Sequence, residues 1–225
     1  MGIIKRIRQA IRKRKASDFG ALVAPAYDPL TRRTSTWAHS WNLQDVALYR
    51  RGDARHQEAL TLITRTQSQA NLFFFVGHGS PSGLFTDPQI GKVPSPISNR
   101  YHGCLLDTDD LVDSIRDLHV VAWSCDSGRY FGQRVAAIPG SAFLGFNGKV
   151  NLVFNDPDSE RLWGTAMRLV FERVRMNRGI RQTDKAWLRK FLLELRDKIA
   201  SGEVNTGHYN RINSMFLKSA ARRIC

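Results

Sequence analysis

Two apolar runs stand out from the polar background of the chain: Leu72-Phe73-Phe74-Phe75-Val76 and His119-Val120-Val121-Ala122-Trp123. Runs of this length without polar alternation suit strands buried on both faces, as at the centre of a parallel sheet. Ala21 to Ala24, closed by Pro25, predicts an earlier strand, Ala142 to Phe146 a later one, and Val150 to Phe154 a further candidate. Helical patterning fills the intervals: residues 3–11, 53–69 and 107–115, and a helix from near Gly128 that carries Phe131 and Val135. The stretch holding Trp37, His39 and Trp41 reads as a loop. So do the twenty residues after Gly79, rich in Pro, Ser and Gly, with room for one short hairpin.

From Ser159 the pattern turns helical. Leu162, Trp163, Ala166 and Val170 share one face, and Gly179 falls where a helix C-terminal glycine would. A second helix after Thr183 puts Leu188, Phe191, Leu192, Leu195 and Ile199 on one stripe and stops at Gly202. Tyr209 to Arg223 is a third, weaker candidate. Strands alternating with helices predict an α/β fold, a mainly parallel sheet flanked by helices with a helical C-terminal extension. The expected organisation is a basic amphipathic arm over residues 1–16, a core over 17–157 and a helical region packed on it over 158–225.

The formal net charge of +14 is concentrated at the two ends. Lys5, Arg6, Arg8, Arg12, Lys13, Arg14 and Lys15 share the first fifteen residues with no acid, and cations again prevail beyond Arg161. Such ends attract polyanions. For the N-terminal arm three readings stay open: a solvated tail, a contact to anionic membrane, or a contact to nucleic acid. No aromatic residue interleaves these charges, which disfavours base stacking. Cys104, Cys125 and Cys225 are too few and too scattered for a disulfide framework or a zinc cage, so neither metal nor cofactor is expected. A reducing, cytoplasmic setting is the simpler expectation, since the N-terminal cations lead into no apolar leader segment.

The chemistry gathers at the ends of the two strongest strands. One runs into Gly77-His78-Gly79, the other into Ser124-Cys125-Asp126-Ser127-Gly128. Ligands and reactive groups of open parallel sheets sit at the carboxyl ends of the strands, so neighbouring strands would present His78 and Cys125 to one cleft. A thiolate is a strong nucleophile, and imidazole can take up a proton and return it near neutral pH. Gly79 leaves its amide unobstructed, and with the Cys125 N–H it would make an oxyanion hole. A helix opening at Cys125 would also favour the thiolate. Asp126 admits two readings, a cap of the following helix or the floor of a pocket for a basic substrate side chain. Cys104 and Cys225 have no expected part in the site.

Phe75-Val76-Gly77-His78-Gly79, followed by Ala122-Trp123-Ser124-Cys125-Asp126-Ser127-Gly128 with the cysteine 47 residues after the histidine, resembles the caspase-like cysteine peptidases, and most closely their CHAT branch. The resemblance covers roughly residues 20–155. It implies a caspase–hemoglobinase-like fold and a cysteine endopeptidase that hydrolyses peptide bonds of a protein target through a thioester acyl-enzyme. His78 and Cys125 carry over as the catalytic dyad and Gly79 as oxyanion partner. It further implies control by a regulatory protein partner or processing event, and a setting in prokaryotic antiviral defence or cell death. Trp123-Ser124 stands where smaller residues are usual, and Asp126 replaces the Arg that follows the cysteine in caspases. A caspase-type preference for Asp is therefore not implied.

Two other function classes compete. A serine esterase would carry a Gly-x-Ser-x-Gly elbow, and the chain has none. A catalytically inactive caspase-like module would bind nucleic acid or anionic membrane through its basic surface, in a manner independent of Cys125.

Overall fold

A computed structural model describes residues 21–24, 29–40, 48–49, 72–85, 104–107, 117–153 and 156–225. The expected N-terminal helix over residues 3–11 and the helix over 53–69 lie outside these. Leu72–Val76 forms β3 and His119–Trp123 forms β7, paired in parallel from Leu72 opposite His119 to Val76 opposite Trp123. On the far side of β3 lies β1 (Ala21–Val23), then β2 (Leu48–Tyr49). On the far side of β7 lies β8 (Ala142–Leu144). The five strands run parallel in the order β2-β1-β3-β7-β8, so the two most apolar strands occupy the interior of the sheet.

Alternate residues of these strands feed two apolar layers. Leu72, Phe74 and Val76, with Val121, Trp123 and Leu144, face helices α1 (Pro29–Ser40), α3 (Pro157–Met176), α4 (Gln182–Ala200) and α5 (Asn210–Arg222). Phe73 and Phe75, with Val120, Ala122 and Phe143, face α2 (Phe131–Ala137) and Leu84 and Leu106 of a small second sheet. That sheet is an antiparallel meander of β4 (His78–Ser80), β5 (Gly83–Phe85) and β6 (Cys104–Asp107). The molecule is thus α/β with a parallel sheet and helices.

Several local expectations change. Residues 29–40 are helical, not a loop: Trp37 and Ala38 are buried from α1 against α3 and the sheet. Val150 to Val153 is irregular, and Asp107 closes β6; the rest of the helix expected over residues 107–115 lies outside the described residues. The hairpin expected after Gly79 begins earlier, at His78 itself. At the end of α3 the chain takes positive φ at two successive residues, Arg178 (φ 56°) and the expected Gly179 (φ 140°). Among the described residues no helix is long and apolar enough to cross a membrane.

Candidate active site

β3 and β7 are direct neighbours, so their carboxyl ends meet as the sequence pattern expects. The pairing continues past the sheet, because the Gly77 N–H donates to the Trp123 carbonyl at 3.3 Å. His78 and Gly79 then leave the parallel sheet as β4, while Ser124 and Cys125 turn out of β7. Gly79 lies directly on that turn. A Cβ at position 79 would stand 2.5 Å from the Cys125 carbonyl oxygen and 2.7 Å from Ser124 Oγ, so only glycine lets the two segments approach this closely. The Pro81 carbonyl accepts from the Phe131 N–H at 2.7 Å, tying the β4–β5 turn to the start of α2. His78 and Cys125 are both partly exposed at this junction.

The helix after the cysteine starts later than the sequence suggests. Residues 124–130 form successive turns, and α2 begins only at Phe131 with Tyr130 before it, so Cys125 does not sit at a helix N-terminus. Asp126 is not its cap either. Its backbone is left-handed (φ 55°), a conformation that Asp tolerates better than bulkier residues. Its carboxylate pairs with Arg129 Nε at 3.2 Å. That pairing also answers the charge a basic substrate side chain would otherwise meet. Among the described residues no backbone carbonyl takes the Cys125 N–H, which leaves that donor available to an oxyanion.

The cysteine sulfur is held by a segment that sequence reading missed. Residues 146–150 run beside the Cys125 turn: the Asp126 N–H donates to the Gly148 carbonyl at 3.0 Å, and Gly128 N–H to the Phe146 carbonyl at 2.9 Å. Val150 N–H reaches Cys125 Sγ at 3.3 Å, and the sulfur faces the Val150 carbonyl at 3.7 Å. Burial pushes the Cys125 thiol above its ordinary value. The Val150 N–H, Lys149 and Arg223 pull it back down, whereas Asp126 adds to the rise.

The end of the chain joins this arrangement. Cys225 and Gly145 exchange backbone hydrogen bonds at 3.0 and 3.3 Å, Asn147 N–H donates to the Arg223 carbonyl at 2.7 Å, and Phe146 pairs antiparallel with Ile224. The Cys225 side chain fills the space that Gly128 leaves by having no Cβ. Burial raises its thiol to about 11, and its side chain packs behind the turn. Nothing local in the sequence marks the pairing of Cys225 with Gly145, eighty positions earlier. Ser124 Oγ and Trp123 Nε1 are buried without a hydrogen-bond partner among the described residues. No metal-binding group of His, Cys, Asp or Glu occurs among them either.

The turn of a parallel strand into a cysteine, a glycine–histidine segment laid upon it and an amide at the sulfur-bearing residue that no described carbonyl takes together form an arrangement suited to thiol chemistry. Compared with protein-family models, curated proteins and solved structures, the chain matches none.

Proposed function

We propose that this protein is a caspase-like cysteine endopeptidase. The observation that carries the reading is the in-register pairing of β3 and β7, which brings Gly77-His78-Gly79 onto the turn holding Cys125. In this reading His78 takes the thiol proton as Cys125 Sγ attacks the scissile carbonyl carbon, and the carbonyl oxygen takes the developing charge against the Cys125 and Gly79 amides. Collapse breaks the C–N bond, with His78 delivering the proton to the leaving amine, and leaves a thioester. His78 then takes a proton from water as its oxygen attacks that thioester; the C–S bond breaks, the carboxylic acid product is freed, and His78 passes the proton to the departing sulfur to restore the thiol. No cofactor enters these steps. The resemblance to the CHAT branch supports a protein substrate and control by a partner or processing event.

Cleavage of a peptide library by the full chain tests this, with Cys125→Ala and His78→Ala as controls. Wild-type cleavage that both substitutions abolish is expected. Cleavage that persists in Cys125→Ala overturns the mechanism.

One observation favours the second reading, a binding module. Helix α5 contains no acidic residue and exposes Arg211, Ile212, Met215, Lys218 and Arg222, cations interleaved with apolar side chains. A face of that chemistry attracts anionic surfaces. Salt-sensitive binding to anionic vesicles that is unchanged by Cys125→Ala, in a protein without peptidase activity, would establish it.

A further inference from the structure

The peptide unit between Lys149 and Val150 is engaged at both ends. Its N–H donates to Cys125 Sγ at 3.3 Å, and its carbonyl oxygen accepts from Arg223 Nη1. One planar amide therefore lies between a guanidinium and the candidate nucleophile, with its dipole aligned from one to the other. A cation on the carbonyl oxygen withdraws electron density from the amide and strengthens its N–H as a donor, the cooperative effect of linked hydrogen bonds. It also fixes the plane of the peptide, so the N–H stays pointed at the sulfur.

The surroundings hold the guanidinium there. Arg223 leaves α5 and enters the extended pairing with Gly145–Asn147 through its own backbone, so the side chain need not secure the segment. Gly148 supplies its path: a Cβ at 148 would come 2.7 Å from Arg223 Cδ and 2.9 Å from its Nε. The site thus has a channel for this side chain along the 145–150 segment.

We infer that Arg223 is a positioning residue for Cys125, acting through the Lys149–Val150 peptide to stabilise the thiolate over the thiol. The inference rests on the reading of Cys125 as nucleophile for its role in catalysis, but the relay itself is a property of the sulfur. The effects of Val150 and Arg223 on the thiol are both in the lowering direction, as this requires. Among the described residues the one charge opposing them is that of Asp126, itself paired with Arg129.

The test is the pH profile of Cys125 alkylation by iodoacetamide in the full chain, read peptide by peptide by mass spectrometry so that Cys104 and Cys225 are counted apart. Arg223→Gln should move the Cys125 midpoint upward and lower the rate at pH 7 by roughly three- to tenfold, a shift of up to about one pH unit. Arg223→Lys, which keeps the charge, should recover part of the shift. Lys149→Ala, which leaves the carbonyl in place, should move the midpoint less than Arg223→Gln. If Arg223 only braces the turn, alkylation changes by the same factor at every pH and the midpoint stays. That result, or a profile coincident with wild type, overturns the relay. Should Arg223→Gln fail to fold, Gly148→Ala provides the same reading, because it displaces the guanidinium while leaving every charge in the chain. A midpoint shift in a chain that cleaves no peptide would sustain the relay and count against the peptidase reading. Cleavage with an unshifted acid limb in the Arg223 variants would do the reverse.

Discussion

His119 begins β7 and ends its ring against the turn between α3 and α4. Its Nδ1 accepts the Ile180 N–H at 2.7 Å, and Gly179 leaves room for the ring face. An accepting Nδ1 requires that nitrogen to be unprotonated, and burial lowers the His119 pKa below its ordinary 6.5 despite the raising effect of Asp117. The unfolded chain then binds more protons than the folded one between the depressed folded value and about 6.5. This contribution to stability is complete above 6.5 and is lost as pH falls through the folded value. Asp156, the N-cap of α3, acts in a lower window: the hydrogen bonds from Ser159 hold its carboxyl below 3.8. His119→Asn keeps a carbonyl acceptor near the position of Nδ1 and cannot titrate. Urea midpoints measured from pH 7.5 to 4.5 should fall more steeply for wild type than for His119→Asn, starting near 6.5. Parallel slopes would refute the assignment. The sequence offered no partner for His119, because the amide it binds lies 61 residues away.

At the scale of elements, α5 shows what a helical pattern leaves out. Leu217, Ala220 and Ala221 place it against the core, but its rotational setting comes from Asn213, which is fully buried. Asn213 Oδ1 accepts from the Trp163 indole N–H at 2.9 Å, and its amide group donates to Ser159 Oγ at 2.7 Å and Thr206 Oγ1 at 3.1 Å. One side chain thus joins α3, α5 and the turn before α5. Asn213→Leu preserves size but leaves the buried Trp163 indole N–H without its acceptor, whereas Thr206 Oγ1 keeps Asn210 Oδ1 and the Ser159 side chain keeps Asp156; an unmet buried donor costs about 1–3 kcal/mol. Its denaturant midpoint should show a loss of roughly 1–3 kcal/mol, the apolar gain of the leucine offsetting the two weakened hydroxyl contacts. A loss under about 0.5 kcal/mol would mean the network is not formed. The strands β3 and β7 were legible because central parallel strands are apolar throughout, and α3 and α4 because their stripes are long. Helix α1 was not, since Trp37 and Ala38 are its buried apolar residues in a segment otherwise rich in Arg, Thr and Ser. For the same reason the candidate site was half legible. His78, Gly79 and Cys125 announce themselves at strand ends, whereas Val150 reaches the sulfur through a backbone N–H that every residue shares, and Arg223 acts on it by way of the Lys149 carbonyl.

For the whole molecule, the sheet's two faces decide how far the helical end can be treated as separate. Phe74, Val76, Val121 and Trp123 are buried on the face that α3, α4 and α5 cover. Removing residues 157–225 would expose these strand residues to water, at about 1.5–3 kcal/mol for each fully uncovered large side chain. Four such exposures approach the entire stability of a typical domain. The same cut removes Arg223, Ile224 and Cys225, and with them the pairing that holds Gly145–Asn147 beside the Cys125 turn. A chain of residues 1–156 should therefore lack a cooperative thermal transition by circular dichroism and bind a hydrophobic dye. The full chain should melt in one step, with the Cys125 alkylation rate rising in the same transition. A cooperative melt of the 1–156 chain would show instead that the sheet folds alone and that the helical end is an appended unit. Single-step loss of both structure and thiol protection would make the C-terminal helices part of the machinery that presents Cys125.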